Sequence, residues 1–224
     1  MKFKAVLFDL DGTLLDTLED LADSMNAALA RLGFPPREAA AYKLLVGDGV
    51  VTLALRALPE GHRDEPTVAR CVEFMRQEYA GRWAVKTRPY AGVAELLAEL
   101  AARGIPSGVL SNKPDDFTKL CVGKLLPQGR FGAVLGVSPS RPKKPDPGGA
   151  LEIARRLGVP PSEFVYLGDT NTDMQTAAAA GMLPVGALWG FRAAEELLAS
   201  GARILLAKPG DLLAGCEEAA ERNR

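Results

Sequence analysis

The sequence predicts an α/β protein, in which a doubly wound, mainly parallel sheet is interrupted after its first strand by an all-helical insertion. Three observations predict this fold class. A short apolar run opens the chain, residues 16–86 show only helical spacing of apolar residues, and strand and helix patterns then alternate to the end. Such alternation is typical of parallel sheets, because parallel strands need a crossover connection that is usually a helix.

The first strand and the first helix have clear boundaries in the sequence. Residues 3–8 form an apolar run that ends abruptly in the acidic segment 9–13, which predicts a buried strand followed by a turn. Apolar residues then recur at helical spacing from Leu18 to Leu32, and Gly33 with the prolines after it ends that helix. We expect this helix to bury one face.

The part of the chain that follows is predicted to be helical throughout. No strand pattern occurs before about residue 104, and three further helices are predicted at residues 38–46, 49–58 and 66–80. We therefore expect the chain to leave the sheet after its first strand and to return to it. This divides it into an α/β core of residues 1–15 and 87–224 and a helical domain of residues 16–86.

Strands and helices alternate in the second part of the chain. The predicted strands are residues 105–110, 133–137, 164–167, 183–187 and 203–206. The helices between and around them are predicted at residues 93–102, 114–124, 148–157, 172–180, 192–200 and 210–221. This order predicts a Rossmann-like core with helices on both faces of the sheet.

The composition excludes several classes of protein and of partner. With 47% hydrophobic and 25% charged residues, disorder and a coiled coil are poor interpretations. A net charge of −1 favours neither a nucleic-acid partner nor an anionic membrane surface. No apolar run approaches the roughly 20 residues of a membrane span, and no signal-peptide pattern is present. Three widely spaced cysteines, Cys71, Cys121 and Cys216, are typical of reduced thiols, so we expect a cytoplasmic protein.

His62 is the only histidine, which limits the chemistry available to the protein. A Ser-His-Asp site, a Cys-His site or a His-rich metal site would depend on this one residue. It lies in the turn-like segment 59–64, where a solvated loop side chain is the expected interpretation.

Polar residues cluster directly after four of the predicted strands. They are Asp9 with Asp11, residues 111–113, residues 143–145, and the pair Asp169 and Asp173. Because the carboxyl ends of parallel strands share one edge of an open sheet, where ligands bind, we expect these clusters to meet in one cleft. An Asp-Gly pair alone is most often a turn, but four polar clusters at one edge indicate a site.

Three carboxylates in one cleft, those of Asp9, Asp169 and Asp173, would repel one another unless a cation is bound. Carboxylate oxygens with no thiol or imidazole nearby select Mg²⁺. A phosphate ester would add negative charge, which Mg²⁺ and a lysine would offset while the Ser111 hydroxyl and backbone N–H groups hold phosphoryl oxygens. Phosphoryl transfer needs mainly such positioning, and an Asp carboxylate can act as its nucleophile.

Four motifs resemble, in order, those of the haloacid dehalogenase-like hydrolase superfamily. They are Asp-Leu-Asp-Gly-Thr-Leu at 9–14, Ser-Asn-Lys at 111–113, Lys-Pro-Asp-Pro at 144–147 and Gly-Asp-Thr-Asn-Thr-Asp at 168–173. Similarity in other segments makes the chain resemble the phosphoglycolate phosphatase branch over essentially its whole length. This resemblance implies that the helical insertion is the cap domain of that branch.

The resemblance also implies a role for each acidic residue. Asp9 would attack phosphorus, and Asp11 would protonate the leaving alcohol and then activate water. Asp9, Asp169 and the backbone carbonyl of Asp11 would hold Mg²⁺. Asp173 would either bind the ion or orient the site around it.

The other motif residues are implied to bind the phosphoryl group. Ser111 and Asn112 would contact it, and Lys144 would neutralise it, because the family lysine directly precedes a Pro-x-Pro segment. Lys143 does not meet that condition and is expected to be solvated. Lys113 is a further candidate for a contact with the substrate, for instance with a substrate carboxylate.

Two segments bear on the choice of substrate. In the predicted cap, Gly47, Asp48 and Gly49 are candidates for a substrate contact, although a structural turn is an equally good interpretation. Residues 136–140 stand where relatives often carry a Gly-Gly-Asp-like run. The loop that leads into the lysine motif is therefore expected to differ in shape from theirs.

The expected function is that of a Mg²⁺-dependent phosphatase for a small phosphorylated metabolite, with 2-phosphoglycolate first among the substrates, in a monomer or a homodimer. Asp11 argues against dehalogenation, because the dehalogenases lack an acid at that position. A pyrophosphatase, a sugar phosphatase or a phosphomutase of the same superfamily is the alternative. A non-catalytic phospho-accepting module is a further alternative, which the long insertion disfavours.

Overall fold

The computed structural model describes residues 3–215 and divides into two compact units. One unit comprises Met1–Leu15 and Pro89–Arg224, and the other comprises Asp16–Arg88. The two are described separately below. The elements, in chain order, are β1 (Ala5–Phe8), β2 (Leu15–Asp16), α1 (Leu18–Arg31), α2 (Tyr42–Leu45), α3 (Val50–Ala57), α4 (Glu65–Arg82), β3 (Arg88–Pro89), α5 (Val93–Ala102), β4 (Ser107–Pro114), α6 (Asp115–Leu125), β5 (Phe131–Val137), α7 (Gly148–Leu157), β6 (Phe164–Gly168), α8 (Asn171–Ala179), β7 (Leu183–Ala187), α9 (Ala194–Ala199) and β8 (Ile204–Leu206).

The first unit is built on a six-stranded sheet of order β5-β4-β1-β6-β7-β8, in which every neighbouring pair is parallel. Strand β1 lies in the interior of the sheet, where Leu7 stands opposite Gly108 of β4 and Tyr166 of β6. Helices connect successive strands, as parallel pairing requires. The fold class predicted from the sequence is confirmed.

Alternation along the strands places one set of apolar side chains on one face of the sheet. Ala5 and Leu7 of β1 and Phe164 and Tyr166 of β6 are all fully buried in the same cluster. Helices α7 and α8 supply the facing residues of this cluster. Since successive residues of a strand point to opposite faces, this cluster is the core on one side of the sheet. The residues of α7 and α8 in it are Ala150, Ile153, Ala154 and Ala177.

Some elements begin or end at residues other than those predicted. Strand β4 extends to Pro114, whereas the sequence predicts an end at residue 110, because the polar residues 111–113 are buried and continue the extended backbone. Its regular pairing with β5 is interrupted between Leu110 and Pro114. The predicted helix 38–46 is a short 3-10 turn, Ala39–Ala41, followed by α2. The second half of the predicted helix 210–221, together with Cys216, lies outside the described residues.

The helical unit has its own core, formed mainly by α1 and α4. On α4 the buried residues recur at helical spacing, so one face of the helix is apolar. The Sγ atom of Cys71 on α4 lies 3.6 Å from the Sδ atom of Met25 on α1. Strands β2 and β3 pair as a two-stranded ribbon where the chain leaves the α/β unit and returns. The buried residues of α4 are Val68, Cys71, Val72, Met75 and Tyr79.

The two described cysteines are buried, and the histidine lies at the surface. Cys71 and Cys121 are buried free thiols, and burial raises the pKa of each to about 11. His62 is exposed, and its ring packs against Phe34 at 4.7 Å between centroids. None of the helices in residues 3–215 is both long enough and apolar enough to span a membrane.

A buried carboxylate that the sequence analysis did not single out joins two parts of the helical unit. Asp20 on α1 is 1% exposed and accepts hydrogen bonds from the backbone N–H groups of Lys86 and Thr87. The Thr87 hydroxyl donates a further bond at 2.8 Å to Asp20 Oδ2. Asp20 thus fastens the start of α1 to the segment that leads into β3.

Replacing Asp20 by Ala is expected to lower the free energy of unfolding by about 2–4 kcal/mol, because two buried donors of Thr87 and the partly buried N–H of Lys86 lose their acceptor. The matched control is Asp23→Ala on the same helix. The Asp23 side chain is 42% exposed and forms a surface ion pair with Lys86, so its loss should cost under about 1 kcal/mol. Urea denaturation followed by circular dichroism measures both variants. Equal losses would contradict the assignment of Asp20.

Candidate active site

The candidate site lies at the carboxyl edge of the central strands of the sheet. Asp9 directly follows β1, Asp169 directly follows β6, and residues 111–113 form the end of β4. Because β4, β1 and β6 are neighbours and parallel, these residues leave the sheet at the same edge. Lys144 enters from the loop before α7, and Asp173 lies in the first turn of α8.

The ammonium group of Lys144 lies between two carboxylates. Its Nζ atom is 2.7 Å from Asp9 Oδ1 and 2.6 Å from Asp173 Oδ1. Burial lowers the pKa of Lys144, but the charges of Asp173 and Asp9 outweigh this effect and raise the pKa well above its usual value. The Tyr166 hydroxyl also donates to Asp173 Oδ1, at 3.3 Å. Lys144 is therefore held as a cation in a buried position.

Asp173 is held by the helix that carries it. Its Oδ2 accepts hydrogen bonds from the backbone N–H and the hydroxyl of Thr170, and the Thr170 hydroxyl caps the Asp173 N–H in return. This is a capping box at the start of α8. A Cβ at Gly168 would overlap the Asp173 side chain, so the strand end must be glycine for the box to form. Both Asp173 oxygens thus have protein partners.

Asp169 is held by a separate set of donors. The Thr13 hydroxyl donates to its Oδ1 at 2.8 Å, and the Phe191 backbone N–H donates to its Oδ2 at 2.9 Å. Burial and the charge of Asp173 raise the pKa of Asp169 to about 7. A Cβ at Gly12 or at Gly190 would overlap Asp169, and Gly12 has a φ of +90°. Two glycines therefore leave the space that this carboxylate occupies.

Asp9, Asp169 and Asp173 form a cluster whose ligand atoms all lie within 4.8 Å of one another. Burial, followed by the charges of Asp173 and Asp169, raises the pKa of Asp9 well above its usual value although Lys144 opposes the shift. Three buried carboxylates around one ammonium carry excess negative charge, which a divalent cation would offset. The donors are all oxygen atoms, so the residues present fit Mg²⁺.

Asp11 and Lys113 form a second ion pair at this edge. Lys113 Nζ lies 2.8 Å from Asp11 Oδ1 and 3.0 Å from Asp11 Oδ2. The Lys113 side chain is only 5% exposed, and the Asp11 side chain is 14% exposed. Lys113, a candidate for a substrate contact, thus has its ammonium against Asp11, and the substrate contact itself stays a prediction.

Ser111 and Asn112 bind to their neighbours in this structure. The Ser111 Oγ atom accepts a hydrogen bond from the Lys113 N–H at 3.2 Å. The Asn112 amide makes two bonds to the backbone of Lys144, donating to its oxygen and accepting from its N–H. The Asn112 side chain therefore fixes the backbone of the lysine motif.

The loop before the lysine motif is shaped by Arg141. This guanidinium donates to the Gly136 oxygen at 2.9 Å and pairs with Asp115 and Glu152 at 3.2 and 3.1 Å. Asp115 also accepts from the Gly136 N–H. Residues 136–141 are thus tied to both α6 and α7. Lys144 follows three residues after this anchor.

The sequence analysis also named candidates outside the four motifs. Gly47, Asp48 and Gly49 belong to the helical unit, where Asp48 pairs with Arg56 at 2.6 Å. Lys143 is exposed.

Thr13, Tyr166 and Phe191 hold the carboxylates, a role that was not predicted for them from the sequence. Thr13 stands inside the first motif, so that motif contained the signal for it. The Trp189 indole N–H donates to the Thr13 oxygen at 2.9 Å, which places this side chain beside the site rather than in an unrelated core.

Comparisons with known proteins find relatives over most of this chain. The family model of the haloacid dehalogenase-like hydrolases matches residues 3–181. A phosphoglycolate phosphatase of Xylella fastidiosa is 34% identical over 193 residues, covering 86% of this chain and 83% of the relative. One of Pseudomonas putida is 33% identical over 225 residues, covering 97% and 81%. A crystal structure from Lactobacillus delbrueckii superposes with a TM-score of 0.90 at 32% identity, covering 95% of this chain and 98% of that one.

Replacing Thr13 by Val removes the hydroxyl that orients Asp169 and is expected to weaken binding of a divalent cation about tenfold. The control, Thr176→Val, removes an equally buried hydroxyl that bonds the Thr172 oxygen within α8. Its cation affinity should stay within about twofold of the unmodified protein. Calorimetric titration with Mg²⁺, supported by electron paramagnetic resonance with Mn²⁺, measures both. A tenfold loss in both variants would mean that Thr13 acts only on stability.

Proposed function

The chain belongs to the haloacid dehalogenase-like hydrolase family, and we propose that it is a Mg²⁺-dependent phosphatase that hydrolyses 2-phosphoglycolate through a phospho-aspartate on Asp9. One observation carries the proposal more than any other. Asp9 lies at the end of an interior strand in a cluster of three buried carboxylates, with the Lys144 ammonium 2.7 Å away. Such a site is suited to holding a phosphoryl group, because it combines a nucleophilic oxygen with fixed positive charge.

Asp9 is the nucleophile in this mechanism. One of its carboxylate oxygens attacks phosphorus while the bond from phosphorus to the ester oxygen breaks, and the phosphoryl group passes to Asp9. Lys144 orients the carboxylate through Oδ1 and offsets the negative charge of the phosphoryl oxygens. Asp173 and Tyr166 hold Lys144 in place, so the cation does not have to reorganise during the reaction.

Asp11 moves the protons. In the first step its carboxyl proton passes to the leaving ester oxygen, so that an alcohol departs. In the second step the resulting carboxylate takes a proton from a water molecule, whose oxygen attacks phosphorus while the bond from phosphorus to Asp9 breaks. The products are inorganic phosphate and a free Asp9 carboxylate, and Asp11 is again protonated. One residue thus serves as acid and then as base.

The ion is held by Asp9, Asp169 and the Asp11 carbonyl in this proposal. When bound, Mg²⁺ supplies charge neutralisation that lets a phosphate dianion approach the carboxylates. Asp169 is suited to bind it, because each of its oxygens accepts only one of the hydrogen bonds described above and retains a lone pair. Asp173 accepts from Lys144, Tyr166 and Thr170, so we assign it to positioning Lys144.

The substrate assignment rests on the relatives. Two curated relatives that share about a third of their residues with this chain are phosphoglycolate phosphatases. We further propose that Ser111 and the backbone around it bind phosphoryl oxygens. The helical unit, including Gly47, Asp48 and Gly49, would act as the cap that selects the rest of the substrate.

Replacing Asp9 by Asn is expected to lower kcat by at least about 10⁴-fold, because an amide lacks the nucleophilic charge. Asn keeps the size of the side chain, so the fold should be preserved. The control Asp23→Asn changes an exposed aspartate of the helical unit and should keep full activity. Release of inorganic phosphate from 2-phosphoglycolate measures both. An active Asp9→Asn enzyme with intact circular dichroism would refute the proposed nucleophile.

A substrate panel tests the finer assignment. We expect kcat/KM for 2-phosphoglycolate to exceed that for pyrophosphate and for sugar phosphates by at least about tenfold, with activity lost in a chelator and restored by Mg²⁺. Transfer of the phosphoryl group to a second sugar phosphate would indicate a phosphomutase. A protein that keeps its phosphoryl group after treatment with acetyl phosphate, without turnover, would indicate a phospho-accepting module.

A further inference from the structure

We propose that Lys113 is a positioning residue for the proton-transfer group, in that it holds the Asp11 carboxyl group in the orientation from which the leaving ester oxygen is protonated. This inference rests on the proposed function, and it assigns to Lys113 a task other than binding the substrate. The two contacts of 2.8 and 3.0 Å from its Nζ atom to the Asp11 oxygens are the observation that carries it.

Burial makes this ion pair persistent. The Lys113 side chain is 5% exposed, and an ammonium removed from water to that degree is stable only beside a compensating charge. An exposed lysine would exchange its partner for solvent at little cost. Asp11 is 14% exposed, so one side of its carboxyl group can still reach a ligand.

Both backbone polar groups of Lys113 are hydrogen-bonded, so the side chain that carries the ammonium group starts from a fixed position. Its N–H donates to Ser111 Oγ at 3.2 Å, and its carbonyl accepts from the Thr118 hydroxyl at 3.2 Å. A Cβ at Gly136 of β5 would come within 2.6 Å of the same carbonyl oxygen, so the neighbouring strand packs closely here. Lys113 is therefore already ordered before the reaction begins, and it can hold Asp11 without a further loss of conformational freedom.

The geometry also fixes the plane of the Asp11 carboxyl group. Lys113 Nζ lies within hydrogen-bond distance of both Asp11 oxygens, so the group cannot rotate about its own axis without losing one of the two contacts. Asp11 follows Asp9 by two residues in the turn that contains Gly12, so a group held here acts beside the bond that breaks. Displacement of a catalytic group by about 1 Å costs on the order of 100-fold in rate.

The dependence on the leaving group separates this role from a purely structural one. A dinitrophenolate ion leaves without protonation, whereas an alkoxide does not. In Lys113→Met we expect kcat/KM, which reports the steps up to phosphorylation of Asp9, to fall about 100-fold for 2-phosphoglycolate and for ethyl phosphate. For 2,4-dinitrophenyl phosphate it should fall by less than about threefold. The exposed residue Lys124 provides the control Lys124→Met, with unchanged kcat/KM for all three esters.

The pair of alkyl esters separates positioning from substrate binding. Ethyl phosphate lacks the carboxylate of 2-phosphoglycolate, so a lysine that binds that carboxylate would matter for 2-phosphoglycolate alone. A loss confined to 2-phosphoglycolate would overturn the inference and return Lys113 to substrate recognition. An equal loss for all three esters would also overturn it, because general damage to the site does not depend on the leaving group.

A double substitution tests whether Lys113 acts through Asp11. Once Asp11→Asn has removed the proton donor, adding Lys113→Met should lower kcat/KM for ethyl phosphate by no more than about twofold further. If Lys113 instead acted independently of Asp11, the losses of the two single variants would multiply in the double variant. Lys113→Gln serves as a second variant if Lys113→Met melts below the assay temperature, and the same ratios are expected of it. Failure of the unmodified protein to hydrolyse any ester would instead refute the proposed function.

Discussion

A buried ammonium group between two carboxylates is the constraint on which this sheet edge depends. Lys144 contacts Asp9 at the end of β1 and Asp173 on α8, and it therefore couples the interior strand to a crossover helix. The surrounding structure keeps that arrangement in place. Asn112 binds both backbone groups of Lys144, and Tyr166 supports Asp173 from the strand below. Removing the lysine would deprive the buried carboxylates of Asp9 and Asp173 of the ammonium group that each contacts.

Much of this arrangement could be predicted from the sequence. The alternation of strands and helices predicted the fold class, and parallel topology then implied that polar residues after the strands meet at one edge. Boundaries were less predictable. Because Ser111 and Lys113 are polar, the sequence predicted that β4 ends before them. The strand nevertheless continues through both residues. They can be buried because the Lys113 N–H donates to Ser111 Oγ and the Lys113 ammonium pairs with Asp11.

The partners of each side chain could not be read from the sequence, because they depend on distant segments. Asp169 accepts from Phe191, 22 residues later, through a backbone group that has no signature in the sequence. Asp20 occupies a position in α1 that by spacing alone resembles an exposed acidic residue, and its burial follows from the path of residues 86–87. The pairing of Lys113 with Asp11, 102 residues earlier, likewise has no local signal in the sequence.

The division of the α/β unit into two stretches of chain has a consequence for synthesis on the ribosome. The hydroxyl of Thr13 contacts a carboxylate 156 residues later, and its carbonyl accepts from an indole 176 residues later. Because a nascent chain emerges from its N-terminus, the first motif lacks these partners until residues 169 and 189 have been made. Asp16–Arg88 forms a contiguous unit with a core of its own, so its local contacts can form during that interval. The acidic end of β1 is thus the first part of the site to be translated and among the last to become structured.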